Sequence, residues 1–483
     1  MNKLKKTLAL VATLAIASTA FVACDDDKDT STGNSTTNST SDSKADSTAD
    51  SKGGEEGNGT KFTDDGDTLS VLCWTDNDLK FMIQHFEEAN PDYAGKVKYV
   101  KVGEDNKTAK EQYATYFMGD EDADLFVLEA DFILDYINND DYSAPLSDLG
   151  FTEADFDGCY EYTVAVGTND NGVLKGATWQ STPGAYVYRY DLAEKLLGVK
   201  TNEEMQAKMK DWDTVLKTAE ELKTASDGKT ALYDSLGGLW QVYSYNRSSA
   251  WADADDKLVI DDYCKTYADI AKTMWDNGYV STVNQWGEGW LNQAANESVL
   301  GYTFTTWCLG AGAQLESAAG GVTREDGKDD VINNPDLYNK FDIIAGPSGY
   351  AWGGSWLALS PKCDNGTLAK AFIEHFTINE ETMESYALFK GEFVNNPTVM
   401  EKVSKNEKSN NPMLRTNPWS ILFPAAENID MTGKITAFDA QIKGVFNDAV
   451  TNYLKGTDGY ATYDDMINEF KKAAATIEGL TVE

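Results

Sequence analysis

The chain has 483 residues, of which 41 are Lys or Arg and 79 are Asp or Glu, so its formal net charge is −38. Binding to nucleic acid needs a basic surface, and this charge balance excludes nucleic acid as a partner. Hydrophobic residues make up 41% of the chain, which is enough for two domains with cores of their own. Beyond the amino terminus, no stretch is long and apolar enough to cross a membrane.

The amino terminus has the features of a secretory signal peptide. Three lysines precede an uncharged run over residues 7–22, which is shorter than the about 20 apolar residues of a spanning helix. The run ends in the sequence FVAC, which resembles a lipobox, although Phe21 stands where Leu is usual. We predict a signal peptide over residues 1–23 and an acylated Cys24 that anchors the protein at the extracellular face of the membrane. An ordinary signal peptide with an incidental cysteine is the alternative.

The segment that follows Cys24 has the composition of a disordered tether. Up to Lys61 it consists mainly of Ser, Thr, Asp, Gly, Asn and Lys, with almost no apolar side chain beyond Ala. Such a segment cannot bury enough surface to offset the entropy lost on ordering. We therefore predict a lipidated, disordered tether over residues 24–61 and a folded body that begins at Phe62.

From Phe62 onward, strand-like and helix-like apolar patterns alternate. Strands are predicted at residues 68–74, 97–102, 124–128, 302–306 and 357–360. Helices are predicted at residues 79–89, 109–118, 212–223, 263–277, 368–376, 380–388, 437–454 and 463–477. Asp211 is expected to precede the start of one of these helices. The alternation indicates an α/β protein with a parallel sheet and a mainly helical carboxyl-terminal region.

Cysteine spacing gives no sign of a metal site. The five cysteines beyond Cys24 are Cys73, Cys159, Cys264, Cys308 and Cys363. They are widely spread and include no CxxC pair, so no metal is predicted. Buried free thiols are the simplest expectation for most of them, with one disulfide as an open alternative.

Five sequence blocks follow one another in a recognisable order. They are TLSVLCWTDN (68–77), GATWQSTPGAYVYRYDL (176–192), DWDTVLKTAEEL (211–222), GGSWLALSP (353–361) and LAKAFIEHF (368–376). Together they resemble the extracellular solute-binding proteins of family 1, the sugar-capturing subunits of bacterial ABC importers. The resemblance implies a two-lobed periplasmic-binding-protein-like fold, in which each lobe is an α/β sheet sandwich and the ligand lies in the cleft. It implies lobe 1 at 62–182, lobe 2 at 183–350, and at 351–483 the return of lobe 1 with helices shared by both lobes.

The aromatic content points to a carbohydrate ligand. A pyranose presents an apolar C–H face that an indole covers well, while carboxylates and amides bond its hydroxyl groups. In open α/β sheets the carboxyl ends of strands face the ligand crevice, and the resemblance implies further cleft positions in the two crossover blocks. The candidate carbohydrate-binding residues are Trp74, Asp76, Asn77, Glu129, Asp131, Trp179, Tyr186, Trp286, Trp307, Trp356 and Trp419.

Each candidate also has a structural interpretation. An isolated tryptophan often packs in a core, and this is the interpretation we prefer for Trp212, Trp240, Trp251 and Trp275. Asp76, Asn77 and Glu129 could simply cap the helices that follow them. Trp286 and Trp290 are four residues apart and are expected to share one helical face.

The resemblance implies a monomeric binding protein that closes on an oligosaccharide and passes it to the permease subunits of an ABC importer, without a cofactor. Lysine far outnumbers arginine, which is associated with an AT-rich, Gram-positive source.

Alternative functions are binding of a polyamine or another non-sugar solute, glycan adhesion at the surface without a transporter, and a glycoside-active enzyme. No catalytic motif is present. His85 and His375, the only histidines, are expected to be partly exposed helix residues.

Overall fold

The computed structural model describes residues 60–119, 123–325 and 328–483. The predicted signal peptide, Cys24 and the tether up to residue 59 lie outside the described residues. The last predicted tether residue is already in contact with the folded body. The backbone N–H of Lys61 donates to the carbonyl of Asp148 at 2.7 Å, and its ammonium group pairs with the Asp148 carboxylate. Among the described helices, none has both the length and the apolar character needed to span a membrane.

Most strands belong to two sheets. The strands are β1 Leu69–Cys73, β2 Val97–Lys101, β3 Leu125–Glu129, β4 Gly176–Thr178, β5 Gly184–Arg189, β6 Ala231–Tyr233, β7 Val299–Thr305, β8 Val322–Thr323, β9 Val331–Ile332, β10 Phe341–Ile344 and β11 Ser355–Leu359. A five-stranded sheet has the order β2-β1-β3-β11-β4, and a four-stranded sheet has the order β10-β5-β7-β6. β8 and β9 form a separate hairpin.

The sheets are parallel only in part, so the expectation of a parallel sheet needs correction. β1 pairs in parallel with β2 and β3, as the alternation of strands and helices predicts. β11 is antiparallel to both of its neighbours, β3 and β4, because the chain re-enters this sheet from the other one in the opposite direction. In the four-stranded sheet, β5 is antiparallel to β7 and β10, whereas β6 and β7 are parallel.

Helices cover both sheets. The α-helices are α1 Leu79–Ala89, α2 Asn106–Met118, α3 Ile133–Ile137, α4 Glu161–Val166, α5 Tyr190–Leu197, α6 Asn202–Lys208, α7 Trp212–Ala225, α8 Leu236–Ser244, α9 Asp262–Asp276, α10 Gln314–Ala318, α11 Pro335–Tyr338, α12 Gly366–Thr377, α13 Glu380–Tyr386, α14 Pro397–Ser404, α15 Pro418–Ala426, α16 Asp439–Lys455 and α17 Tyr463–Ala474. The predicted cap of α7 is present, because the Asp211 carboxylate accepts a hydrogen bond from the backbone N–H of Thr214 at 2.7 Å.

Apolar residues fill both faces of both sheets. One core runs along one side of the two sheets and includes Val71 of β1 and Phe304 of β7. A second core lies between the four-stranded sheet and helices that include α7, α9, α16 and α17. A third lies between the five-stranded sheet and α2 and α3. We call the five-stranded sheet with its helices lobe 1 and the four-stranded sheet with its helices lobe 2. This arrangement confirms the predicted fold class.

Two crossover segments, residues 179–183 and 345–354, run side by side between the lobes. The backbone N–H of Trp352 donates to the carbonyl of Thr182 at 3.0 Å, and that of Gly184 donates to the carbonyl of Tyr350 at 2.8 Å. A Cβ atom at Gly184 would lie 1.9 Å from the Tyr350 ring, so only glycine fits there. Close backbone contact therefore fixes the register of the two crossovers.

The two histidines are buried, so the expectation of partial exposure is wrong. His85 and His375 are 7% and 6% exposed. Nδ1 of His85 lies 3.0 Å from Nε2 of His375, and Nε2 of His85 lies 3.0 Å from the Ser385 hydroxyl. The reason is that α1 and α12 pack together in lobe 1, with the rings of Phe376 and Tyr386 against His85.

The five cysteines within the described ranges are free thiols, and Cys159 is the only half-buried one.

Candidate ligand-binding cleft

A cleft of about 570 Å³ lies where lobe 2 faces the crossover and one edge of lobe 1. This volume falls within the range of about 300–1,000 Å³ that is usual for small-molecule sites. Most of the wall belongs to lobe 2 and comes from α8, α9, α16 and the loop 281–286. Trp352 and Gly353 come from the second crossover, and Asp131, just after β3, is the contribution of lobe 1.

Four tryptophan rings meet at the cleft. The rings of Trp286 and Trp307 are nearly parallel, with an interplanar angle of 13° and centroids 6.1 Å apart. Trp352 lies edge-on to both, at 5.8 Å and 5.0 Å, and its carbonyl accepts a hydrogen bond from Nε1 of Trp307 at 3.0 Å. Trp290 lies 4.9 Å from Trp286. Trp286 and Trp352 line the cleft, and the other two rings support them from behind.

Trp286 and Trp290 do not share a helical face, so that expectation is wrong. Residues 281–290 form a loop, because Gly287 and Gly289 disfavour a helix. Gly289 has a φ of +83°, and Trp286 itself has a left-handed φ of +64°. As a result the Trp286 side chain is 57% exposed, whereas Trp290 is buried.

The buried carboxylate of Asp234, just after β6, holds this loop in place. It accepts hydrogen bonds from Nε1 of Trp290 at 2.6 Å, from the Ser235 hydroxyl at 2.8 Å and from the backbone N–H of Thr303 at 3.1 Å. Burial raises the pKa of Asp234 to about 6, even though these hydrogen bonds favour the ionised form. The loop is thus tied to β6 and β7, and Trp286 projects from a fixed base.

Charged side chains from both lobes meet on the cleft wall. The Lys443 ammonium lies 3.0 Å from the Asp131 carboxylate and 3.5 Å from that of Asp439. Burial lowers the pKa of Lys443, but the two carboxylates outweigh this effect and hold that pKa above its ordinary value. Burial, and then the charge of Asp131, raise the pKa of Glu129 to about 8. Within the described ranges, no group of three or more His, Cys, Asp or Glu residues could hold a metal ion.

Behind this charged group lies a smaller inner pocket of about 20 Å³. Asp131, Tyr245, Gly353 and Lys443 line both the cleft and the inner pocket. The rest of the inner pocket is mainly apolar and includes Trp356. The charged pair therefore stands between the two cavities.

Several of the predicted site residues do come together here. Asp131 and Trp286 line the cleft, and Trp307 stacks behind Trp286. Trp356 is buried at the inner pocket, where its Nε1 donates to the Thr163 carbonyl at 3.0 Å. Glu129 lies beside the cleft, and its Oε2 accepts a hydrogen bond from the backbone N–H of Asp131 at 2.9 Å.

Three of the predicted residues lie in the core instead of on the cleft. Trp179 is 2% exposed, and the side chains of Tyr186 and Trp419 are also buried. The Tyr186 hydroxyl donates to the carbonyl of Leu232 at 2.5 Å, and Trp419 packs against Phe393 with centroids 5.7 Å apart. The physical reason is that both faces of the crossover and of β5 are covered, so a position in these blocks does not imply access to the cleft.

The end of β1 does not reach the cleft either. Asp76 and Asn77 are exposed to solvent and are not among the residues that line the cleft. Trp74 is half-buried and packs edge-on to Phe132 with centroids 6.3 Å apart. The turn after β1 therefore faces solvent in this structure, while the turn after β3 faces lobe 2.

Sequence reasoning missed most of the lobe 2 wall. Trp240 and Trp275 pack partly into the lobe 2 core, as expected, but each also lines the cleft. Tyr245 and Lys443 carried no motif. For Trp352, next to the Gly353-Gly354 pair of the return block, the sequence favours ligand contact and core packing about equally, and the structure places it on the cleft wall.

Residues 82–415 match the family model described as bacterial extracellular solute-binding protein. Comparison with curated proteins gave no match. Among solved structures, the chain is similar to an extracellular solute-binding protein of family 1, with a TM-score of 0.68 and 19% identity over 84% of this chain and 99% of that one.

Two further structures come from bifidobacteria. An ABC transporter-associated binding protein from B. animalis subsp. lactis, in complex with β-1,6-galactobiose, has a TM-score of 0.63 and 16% identity over 86% of this chain and 99% of that one. The galacto-N-biose-/lacto-N-biose I-binding protein from Bifidobacterium longum, in complex with lacto-N-biose, has a TM-score of 0.60 and 15% identity over 87% and 100%. These likenesses show the fold. The family and the structures are those of binding proteins and not of enzymes.

Proposed function

The chain belongs to the family of bacterial extracellular solute-binding proteins, and we propose that its solute is a carbohydrate, in particular an oligosaccharide, which it delivers to an ABC importer. The two lobes sample open and closed states, and a ligand that contacts both lobes favours the closed state. The closed protein then presents both lobes to the permease subunits at once.

The observation that carries this proposal is the make-up of the cleft wall. Aromatic rings are contributed by Trp240, Tyr245, Tyr267, Trp275, Trp286 and Trp352. Amide and hydroxyl groups are contributed by Gln241, Ser244, Ser281, Thr282, Asn284, Gln285, Asn447 and Thr451. Flat apolar surfaces suit the C–H faces of sugar rings, and the amides and hydroxyls suit their hydroxyl groups. The spread of aromatic rings along a cleft of about 570 Å³ supports a ligand of more than one ring.

The charges on the wall favour a neutral ligand over a polyamine. Asp131 is the only carboxylate among the described residues that line the cleft, and Lys443 already pairs with it. Lys455 adds a second positive charge. A polycation would therefore meet two ammonium groups and no unpaired carboxylate. The two bifidobacterial proteins, which were solved with β-1,6-galactobiose and lacto-N-biose, give independent support for a sugar.

Isothermal titration calorimetry with a panel of neutral oligosaccharides and spermidine tests this proposal. The mature chain, residues 24–483 with Cys24→Ala, carries neither the predicted signal peptide nor the lipid and avoids the need for detergent. At least one glycan is expected to bind with a micromolar Kd, or about −8 kcal/mol. Because a neutral sugar has no charge to screen, the Kd should change by no more than about fivefold between low and high salt. Tight, salt-sensitive binding of spermidine without binding of any glycan would overturn the sugar assignment.

We also propose that a lipid on Cys24 holds the protein at the extracellular face of the cell membrane. Two or more acyl chains are needed for stable anchoring, and lipoprotein processing supplies them. Cells expressing the wild type, Cys24→Ala or Cys264→Ala are grown with labelled palmitate. Cys264→Ala is the matched control, because that thiol is buried in lobe 2. Label should be lost only from Cys24→Ala, and equal labelling of all three proteins would refute the anchor.

A further inference from the structure

An ion pair joins the two lobes at the cleft. Asp131 follows β3 of lobe 1, whereas Lys443 lies on α16, which packs into the lobe 2 core through Ile442 and Phe446. The ammonium and carboxylate are 3.0 Å apart. Any movement that opens the cleft on this side must lengthen this distance. The attraction between the two charges therefore opposes opening.

The surroundings of the pair allow it to break at low cost. The Asp131 side chain is 50% exposed, so water can solvate its carboxylate as soon as Lys443 withdraws. Lys443 keeps a second partner on its own helix, because Asp439 lies 3.5 Å away and is 5% exposed. Loss of an ion pair is costly when it leaves a buried charge without a partner. Here water would hydrate the Asp131 carboxylate, and Lys443 would still be paired with Asp439. The contact is therefore suited to repeated opening and closing.

The segment before α16 places the pair close to a connection between lobes. Ile435 and Ala437 pack against the lobe 1 core, and Phe438 packs against the lobe 2 core. The Asp439 carboxylate accepts hydrogen bonds from the backbone N–H and the hydroxyl of Thr436, at 3.0 Å and 2.8 Å. Lys443 is one helical turn beyond this connection, so its position relative to Asp131 depends directly on the angle between the lobes.

We propose that Asp131 and Lys443 form an interlobe tie that holds the ligand-free protein partly closed and thereby sets its resting ratio of open to closed molecules. The tie does not depend on the chemistry of the ligand. Half-exposed ion pairs contribute modestly, so loss of the tie should raise the open-to-closed ratio about two- to fivefold. The apparent affinity for any ligand of the closed state should fall by no more than the same factor.

Spin-label distance measurements on the ligand-free protein test the tie. Labels are attached to Met118→Cys on lobe 1 and Lys217→Cys on lobe 2, both exposed. The protein used is the mature chain, residues 24–483, with Cys24→Ala and with the half-buried thiol removed by Cys159→Ser. Asp131→Asn and Lys443→Met should each shift the distances toward the open population, and the double variant should shift them no further. Lys443→Arg should retain the wild-type distribution. The matched control is Lys272→Met, which removes a half-exposed ion pair with Asp276 inside α9 and should change nothing.

Ionic strength gives a second readout. High salt should open the wild type and leave Asp131→Asn unchanged, because screening acts on a pair that the variant lacks. If Lys443→Met fails to fold, Asp131→Asn still decides the question, since Asp131 lies at the surface. Identical distance distributions in the wild type and Asp131→Asn at both salt concentrations would overturn the tie. A failure of the glycan panel would leave this test unaffected, because no ligand is used in it.

Discussion

The two lobes contribute very unequally to the cleft. Lobe 2 supplies three helices and a loop, whereas lobe 1 supplies Asp131. Both lobes bury tryptophans, such as Trp179 on the lobe 1 side and Trp251 of lobe 2, but Trp275 and Trp286 of lobe 2 face the cleft. From this difference we expect that a ligand gains most of its contacts from lobe 2 and that lobe 1 closes over it.

The largest effect is expected from Trp179→Ala, which tests whether tryptophans on the lobe 1 side are structural. Removing a buried indole should lower the free energy of unfolding by about 3–5 kcal/mol, as measured by urea denaturation. Trp286→Ala is the control, and because that side chain is 57% exposed its cost should stay within about 0.5 kcal/mol. If Trp179→Ala kept its stability but lost glycan binding, Trp179 would be a ligand-binding residue and not a structural one.

Acid should destabilise lobe 1 through its histidine pair, which has no counterpart in lobe 2. Burial lowers the pKa of His375 to about 4, and burial also lowers the pKa of His85 despite the opposing charge of Glu88. Below pH 6.5 the unfolded chain therefore binds more protons than the folded one. The stability from His375 is complete above about pH 6.5 and is lost as the pH falls toward 4.

Urea unfolding at pH 7 and pH 4.5 measures this effect. At pH 4.5 the contribution of His375 to the loss of stability is about 2–3 kcal/mol. His375→Gln should lose less stability between the two pH values by that amount, because glutamine does not titrate. An equal loss of stability in the wild type and the variant would show that the histidine pair does not make lobe 1 sensitive to acid.

Binding tests the unequal walls directly. Trp286→Ala, on the lobe 2 side, should weaken glycan binding about tenfold to a hundredfold, since burial of an aromatic ring contributes about 1.5–3 kcal/mol. Trp74→Ala, on the lobe 1 side, should weaken binding less than about threefold, because Trp74 does not line the cleft. Both values come from calorimetry with the best ligand of the glycan panel. Equal losses for the two variants would mean that lobe 1 is a full partner in binding.

The smallest effect is expected at the amino-terminal edge of lobe 1. Deleting residues 25–59 should leave the Tm unchanged within about 1 °C, because that composition cannot contribute to a core. Extending the deletion to Lys61 removes its ion pair with Asp148 and should cost at most about 1 kcal/mol. Scanning calorimetry of both proteins checks this, and a Tm many degrees lower after the shorter deletion would place part of the tether in the fold.

The fold could be predicted well because its signals are local. Helical spacing and the Asp211 cap located α7, and β-rich runs located β1, β2 and β3. The spacing of Trp286 and Trp290 alone predicts a shared helical face, but Gly287 and Gly289 break a helix at residues 281–290. The direction of β11 depends on which sheet the chain has just left, and no local pattern carries that information. The lobe boundaries at 182/183 and 350/351 stay a prediction, although every strand of the four-stranded sheet falls between them.

The residues that line the cleft are harder to predict, because access to the cleft is a property of the assembled lobes. Asp131 lines the cleft, as the rule that strand ends face the crevice predicts, whereas Asp76, at the end of another strand, does not line it. Trp179 and Tyr186 were assigned from their place in a sequence block, which gives position along the chain but not the side that stays open. Lys443 lies on a helix whose hydrophobic pattern indicates only a core-facing side and a solvent-facing side. Its partner, Asp131, is 312 residues away in the sequence.

The exposed position of Trp286 makes the protein its own optical reporter. All 12 tryptophans of the chain lie in the described part, and among them Trp286 alone is exposed. The long-wavelength edge of the indole emission should therefore come mainly from this one ring, while the buried and half-buried rings emit at shorter wavelength. A ligand or a closing lobe that displaces water from Trp286 would shift that edge to the blue and protect it from a soluble quencher such as acrylamide. Occupancy of the cleft could then be followed without any attached dye.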